Sequence, residues 1–130
     1  MPSVFTKIIN GEIPCFKVAE DDEFLAFLDI NPLQKGHVLV VPKSEVDYLF
    51  DLEDKLLADM ICFSKKVAHK IKQAFPCKKV GMTVIGLEVP HAHIHLVPIN
   101  SLSDMDFSRP KLMLSDEELS HTALLIRQCS

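Results

Sequence analysis

The stretch His91-Ala-His-Ile-His-Leu-Val-Pro98 places three of the chain's six histidines at every second residue. In an extended strand successive side chains point to opposite faces, so His91, His93 and His95 share one face while Ala92, Ile94 and Leu96 share the other. The apolar set faces a core, and the imidazoles form a row spaced ~6.6 Å from one to the next and ~13 Å from first to last. Only five residues separate this run from an earlier one at 79–85, too few for a parallel crossover, so the two are expected to form an antiparallel hairpin.

Upstream, residues 51–75 carry Leu56, Met60, Phe63, Val67, Ile71 and Ala74 at helical spacing, which predicts a long amphipathic helix. Asp51 is a candidate cap, and Phe75-Pro76 ends the helix because proline disfavours helical geometry in the residue before it. The lysines 65, 66, 70 and 72 read as its solvated face. Residues 37–41 form a β-branched run stopped by Pro42, a buried strand. Residues 16–20 and 24–28 are apolar-rich runs parted by Asp21-Asp22, a second hairpin. Residues 29–36, with Asn-Pro and Gly, are loop. Near the N-terminus, Ser3 and Gly11 bracket a two-turn helix. Near the C-terminus, Ser115-Asp-Glu-Glu is a capping-box signature for a helix reaching about 128, with Leu119, Thr122, Ala123 and Ile126 as its apolar face. The expected fold class is α+β: an antiparallel sheet of about five strands with one long helix packed on it and a C-terminal helix.

A chain of 130 residues matches one domain. A net charge of -4 argues against a duplex-binding protein. No run approaches the ~20 apolar residues of a membrane span. Cys15, Cys62, Cys77 and Cys129 lie too far apart for any C-x-x-C pair and read as free thiols, which makes the cytoplasm the expected compartment.

Three alternating imidazoles admit several chemistries. A single zinc ion requires imidazole nitrogens at ~2.0–2.1 Å converging tetrahedrally, which a parallel row achieves with difficulty, although His91 and His93 with Glu88 could be tried. Core or surface histidines each need a partner for their polar edges. Chemistry on an anion uses the row directly, because neutral imidazole is a nucleophile and base near its pKa of ~6.5 and protonated imidazole donates hydrogen bonds to phosphate oxygens.

His91-Ala-His-Ile-His-Leu-Val resembles the signature of the histidine triad (HIT) superfamily, His-φ-His-φ-His-φ-φ with φ apolar. Lys7-Ile-Ile-Asn-Gly-Glu-Ile-Pro, Phe24-Leu-Ala-Phe-Leu-Asp-Ile-Asn-Pro and Gly36-His-Val-Leu-Val-Val-Pro-Lys are similar, in order, to segments of its nucleotide-binding branch. The resemblance covers about residues 4–98 and leaves 99–130 as an extension of a single domain 1–130. It implies that His93 is a nucleophile at the α-phosphorus of a nucleotide, forming a nucleotidyl-histidine. It implies that His95 stabilises charge on the α-phosphate and can protonate the leaving group, that His37 completes the phosphate pocket, and that His91 orients its neighbour. Asp29 and Ile30 match the ribose-binding pair, and Phe5, Ile8, Phe27 and Leu39 the apolar wall around the base, whose residues are also ordinary core.

Departures from the family's pattern bear on metal and substrate. Some bacterial members hold structural zinc through an N-terminal Cys-x-x-Cys and a histidine after the Pro-Lys segment; here Ser3, Thr6 and Glu45 stand at those positions, so no metal and no cofactor are expected. Before the triad this chain has the short form Ile85-Gly-Leu-Glu-Val-Pro, with Glu88 at the place of a hydroxyl residue beside Val89. An acid near phosphate repels it unless it faces a cationic leaving group. The resemblance implies a hydrolase of purine nucleoside phosphoramidates working as a homodimer with a sheet continuous across the interface. The alternatives are hydrolysis of dinucleoside polyphosphates and nucleotide binding without turnover.

Overall fold

The computed structural model describes residues 2–130. Among them the order is α1 (Val4–Ile9), β1 (Lys17–Glu20), β2 (Phe24–Leu28), β3 (Val38–Pro42), α2 (Asp54–Ala74), β4 (Lys79–Thr83), β5 (Ile94–Ile99) and α3 (Asp116–Arg127), with 3-10 turns at Leu49–Asp51 and Leu102–Met105. The strands form one sheet in the order β1-β2-β3-β5-β4 with every pair antiparallel, so both expected hairpins are present and the fold is α+β.

Local chemistry explains most boundaries. Ser3 caps α1 by accepting from the Thr6 N–H at 3.0 Å. Asp21 forms the first hairpin turn, its Oδ1 accepting from the Glu23 and Phe24 N–H groups at 2.8 Å each. Ser115 and Glu118 form the capping box that opens α3. Asp51 does not cap α2: it ends the preceding 3-10 turn, and Glu53 occupies the N-cap with no side-chain bond.

Strands β2 and β3 are buried along their whole length because the sheet is covered on both faces. Phe24, Ala26, Leu28, Val38, Val40, Ile94 and Leu96 face α2 and α3, meeting Met60, Val67, Ile71, Leu119, Ala123 and Ile126. Leu25, Phe27, Leu39 and Val41 face the other way, under Phe5 of α1. Helix α3 docks against β1 and α2 of its own chain, and all four residues of its expected apolar face are buried.

The last strand differs from expectation. Its ladder starts at Ile94, so His91 and His93 precede it and His95 alone of the three lies within it. The three rings are therefore no flat row; His91 and His93 sit on irregular backbone whose geometry is set by its own hydrogen bonds. Likewise β4 ends at Thr83 instead of residue 85, β3 begins one residue after His37, and Pro42 is the last residue of β3, paired with Phe24.

Ile126 is fully buried between α3 and the sheet. Replacing it with alanine removes methyl and methylene groups from a site whose neighbours close only partly. Ile126→Ala is expected to lower unfolding free energy by about 2–5 kcal/mol, measured by urea denaturation.

Candidate functional site

The histidines open onto the sheet face opposite α2 and α3. Leu39 is directly opposite Phe27 on one side and His95 on the other. Paired residues share a face, so Phe27, Leu39 and His95 form one row across three strands. Phe5 leans over this row, its ring centroid 5.5 Å from that of Phe27 and 5.0 Å from that of His93, both edge-on. Ile8 and Val89 pack against the same apolar cluster. At the edge of the row the Asp29 N–H donates to the His37 carbonyl at 3.1 Å, continuing the β2–β3 ladder and bringing both side chains beside His95.

Hydrogen-bond partners assign the ring tautomers. His37 Nδ1 lies 3.0 Å from the Leu33 N–H, which can only donate. The His37 proton is therefore on Nε2, which donates to His95 Nδ1 at 3.0 Å. His95 in turn carries its proton on Nε2, pointing away from His37. The Pro42 carbonyl accepts from His91 Nε2 at 2.8 Å, which leaves His91 Nδ1 to accept from the Ser3 hydroxyl at 2.8 Å. The His91 carbonyl accepts from His93 Nδ1 at 2.7 Å, so His93 Nε2 bears an unshared pair. A nucleophilic nitrogen and a ring N–H donor thus sit on neighbouring rings whose centroids are 5.0 Å apart.

Burial keeps these rings neutral. It lowers the pKa of His37 to about 3, with help from His95 and Lys111, and that of His95 to about 4, with help from His93. The hydrogen-bond chain acts in the same sense. Adding a proton to His95 Nδ1 would oppose the His37 N–H, and reversing His37 would oppose the Leu33 amide. Burial also lowers the His93 pKa, partly offset by the bond to the His91 carbonyl and by the charges of Asp29 and Glu88. The Asp29 carboxyl is pushed up by burial, against the Asn31 N–H that its Oδ1 accepts at 2.9 Å. One carboxylate oxygen thus shapes the turn, while Oδ2 lies 3.7 Å from His37 Nε2.

Two expected residues stand apart from the cluster. Ile30 is 60 % exposed and lines a separate cavity of about 400 Å³ with Cys15, Phe16 and Leu114. Glu88 is exposed on the loop before the triad, close enough for its charge to act on Asp29 and His93.

The segment after Pro98 departs from the family's compact ending, and the residues it brings to the site are not apparent from sequence. Phe107 packs edge-on against His95 at 5.0 Å and His37 at 6.2 Å between centroids. Lys111 lies 5.9 Å from the centre of the Phe107 ring and donates to the Phe107 and Arg109 carbonyls. Arg109 donates to the Leu33 carbonyl at 3.2 Å and the Leu112 N–H to that of Pro32 at 2.9 Å. The available signal was one aromatic between Asp106 and Ser108 in an otherwise polar stretch.

Two groups of residues can be tested against a metal. Asp29, His37 and His95 offer ligand atoms within 4.8 Å of one another. An ion there would need an unshared pair on His37 Nε2, which the Leu33 amide on Nδ1 denies to a neutral ring, so the geometry suits a proton and not an ion. Around His91 the neighbours are the hydroxyls of Ser3 and Thr6, with Glu45 bonded to both residues. That set offers no thiolate and a single imidazole nitrogen, a poor match to the ligands of structural zinc.

A protein-family model described as "HIT domain" matches residues 10–102. An uncharacterized HIT-like protein of Borreliella burgdorferi is 37 % identical over 131 residues, spanning 95 % of this chain and 94 % of its own. Adenosine 5'-monophosphoramidase hnt1 of Schizosaccharomyces pombe is 36 % identical over 121 residues, spanning 92 % of this chain and 91 % of its own. The crystal structure of a HIT-like protein involved in cell-cycle regulation from Bartonella henselae superimposes with a TM-score of 0.84 at 31 % identity, covering 96 % of this chain and 93 % of that one.

The neutral pair has a pH signature. A histidine in the unfolded chain titrates near ~6.5, so below that pH the unfolded state binds protons that folded His37 and His95 refuse. Their contribution to stability is complete above pH ~6.5 and falls as pH is lowered, by up to about 1.4 kcal/mol per pH unit for each ring. Denaturant titrations at pH 7, 6 and 5 are expected to show this decline, and ¹⁵N NMR to show both rings neutral throughout.

Proposed function

The chain belongs to the HIT family, and we propose that within it the protein is a nucleoside phosphoramidase, hydrolysing the P–N bond between a purine nucleoside α-phosphate and an amine. The observation that carries this reading is the unshared pair on His93 Nε2 beside the outward N–H of His95, with Asp29 and an apolar wall next to both. The likeness to the monophosphoramidase of Schizosaccharomyces pombe supports it.

The base lies against Phe5, Ile8, Phe27, Leu39 and Val89. Asp29 Oδ2 accepts from the ribose hydroxyls. His93 Nε2 bonds to the α-phosphorus as the P–N bond breaks, and the amine leaves with a proton from solvent. The His93 imidazolium keeps its Nδ1–H on the His91 carbonyl. Water then attacks phosphorus, the P–Nε2 bond breaks, the nucleoside monophosphate leaves, and the water's proton replaces the one the amine took.

His95 Nε2–H donates to an α-phosphate oxygen throughout. As a neutral ring locked by His37 and Leu33 it is a weak acid, so its role is charge stabilisation and not the protonation that the resemblance implied. His37 holds His95 in that state. Glu88, near the nucleophile but exposed, favours a cationic amine over an anionic leaving group, which argues for phosphoramidates over dinucleoside polyphosphates.

We read the chain as one domain with its core at 4–98 and an extension at 99–130. We further propose that it works as a homodimer joined into one sheet, since β4 lies at the edge of the sheet and Met82, Val84 and Ile85 beside it are exposed. Its four free thiols support a reducing compartment. Among the described residues no helix is long and apolar enough to cross a membrane.

His93→Gly is expected to abolish turnover of an adenosine phosphoramidate while leaving AMP affinity within about threefold, and His95→Ala to lower kcat by ~10² to 10³. Substrate assays paired with calorimetry check both; unchanged turnover in His93→Gly overturns the assignment. Sedimentation is expected to give twice the 14.6 kDa chain mass.

A further inference from the structure

His91 and His93 lie outside the sheet ladder, so other bonds must hold the nucleophile in place. The backbone supplies two: the Ala92 N–H donates to the Val46 carbonyl at 2.7 Å, and the His91 N–H to that of Val89 at 2.8 Å. The remainder comes through the His91 side chain. Its Nε2 is tied to Pro42 and its Nδ1 to Ser3, and its carbonyl fixes His93 Nδ1.

Ser3 is 5 % exposed. Its hydroxyl oxygen accepts from the Thr6 N–H, which directs its own proton elsewhere. Thr6 Oγ1 stands 3.4 Å from His91 Nδ1 but gives its proton to Glu45 at 2.7 Å, and Glu45 also accepts the Ser3 N–H. Glu45 thereby takes up the Thr6 proton, and the Ser3 hydroxyl, whose other acceptor Thr6 Oγ1 stands farther off at 3.3 Å, is left as the donor to His91 at 2.8 Å. Two residues along the same helix, Phe5 contacts the rings of His91 and His93 edge-on at 5.9 and 5.0 Å between centroids.

We propose that Ser3 is a positioning residue for the nucleophile: its hydroxyl proton, directed by Thr6 and Glu45, locks the His91 ring and thereby the carbonyl that keeps His93 in its Nδ1–H tautomer with Nε2 bare. This rests on the reading of His93 as the nucleophile. The bond carries information that packing alone does not, because it sets which nitrogen of His93 is free. Should His93 turn over to its Nε2–H form, the ring remains in place and the attack is lost.

The test separates the hydroxyl's two jobs, capping α1 and donating to His91. Ser3→Thr keeps both, Ser3→Asp keeps the cap acceptor but not the donor, and Ser3→Ala loses both. With an adenosine phosphoramidate, Ser3→Thr is expected to behave as wild type. Ser3→Asp and Ser3→Ala are expected to lose about ten- to a hundredfold in kcat with KM within about twofold. In parallel, ¹⁵N NMR of the histidine rings is expected to show His93 as pure Nδ1–H in wild type and Ser3→Thr, and mixed in the other two. The same His93 signals in Ser3→Asp as in wild type would reduce Ser3 to a helix cap and overturn the proposal. Because the NMR readout needs no turnover, it decides the positioning role even if wild type proves inactive on phosphoramidates, a result that would sink the proposed reaction alone.

Discussion

A backbone amide cannot reverse its polarity, and much of this site follows from where one such amide points. The Leu33 N–H faces His37 Nδ1, His37 is thereby made to donate from Nε2, and His95 is made to accept on Nδ1. Two rings in contact thus become a directed pair with one outward N–H. Had a carbonyl stood in place of that amide, both rings would reverse their tautomers and His95 would present an unshared pair outward in place of an N–H. Low polarity around the rings reinforces the same state by penalising the imidazolium.

The sheet makes this arrangement possible by being closed wholly on one face and partly on the other. One face is sealed by α2 and α3, which confers stability. On the other, α1 covers only part of the surface and leaves the row Phe27, Leu39 and His95 beside Asp29 and His37. Hydrocarbon, carboxylate and imidazole follow one another along that face, the order that the proposed purine nucleotide substrate requires. Gly36, at φ +97° and with the Phe75 ring 3.0 Å from where a side chain would begin, lets the chain turn tightly into His37.

What the sequence disclosed depended on how local each determinant was. The start of α3 and its apolar face were legible because a capping box and an apolar stripe are written in neighbouring positions, and the first hairpin because its connection is short. The start of α2 was misplaced, since Asp51 is a favoured cap by residue type but is taken up in the preceding 3-10 turn, and the helix opens after Glu53 with no side-chain cap bond. The triad was expected to be wholly strand from its alternation. Alternation reports which faces residues prefer, however, and not whether a neighbour extends far enough to pair with them; β3 pairs with β5 only from Ile94. Alternation drew attention to His91, His93 and His95, and the resemblance to His37, and the structure brings the four rings together. Their tautomers were beyond reach, because Pro42 and Ser3 are distant in the chain from His91, and the Leu33 amide, though only four residues before His37, meets that ring through a turn whose geometry no local motif specifies.

The segment bearing Phe107, Arg109 and Leu112 grips the turn at Pro32 and Leu33 by two hydrogen bonds, and that turn sets the polarity of His37. The grip originates beyond the residues that match the family model. Substitution in this tail therefore reaches the polarity of the paired imidazoles through that turn. Lineages could diverge in the proposed site while their histidine signatures stayed letter for letter the same, and a comparison confined to the signature would miss it.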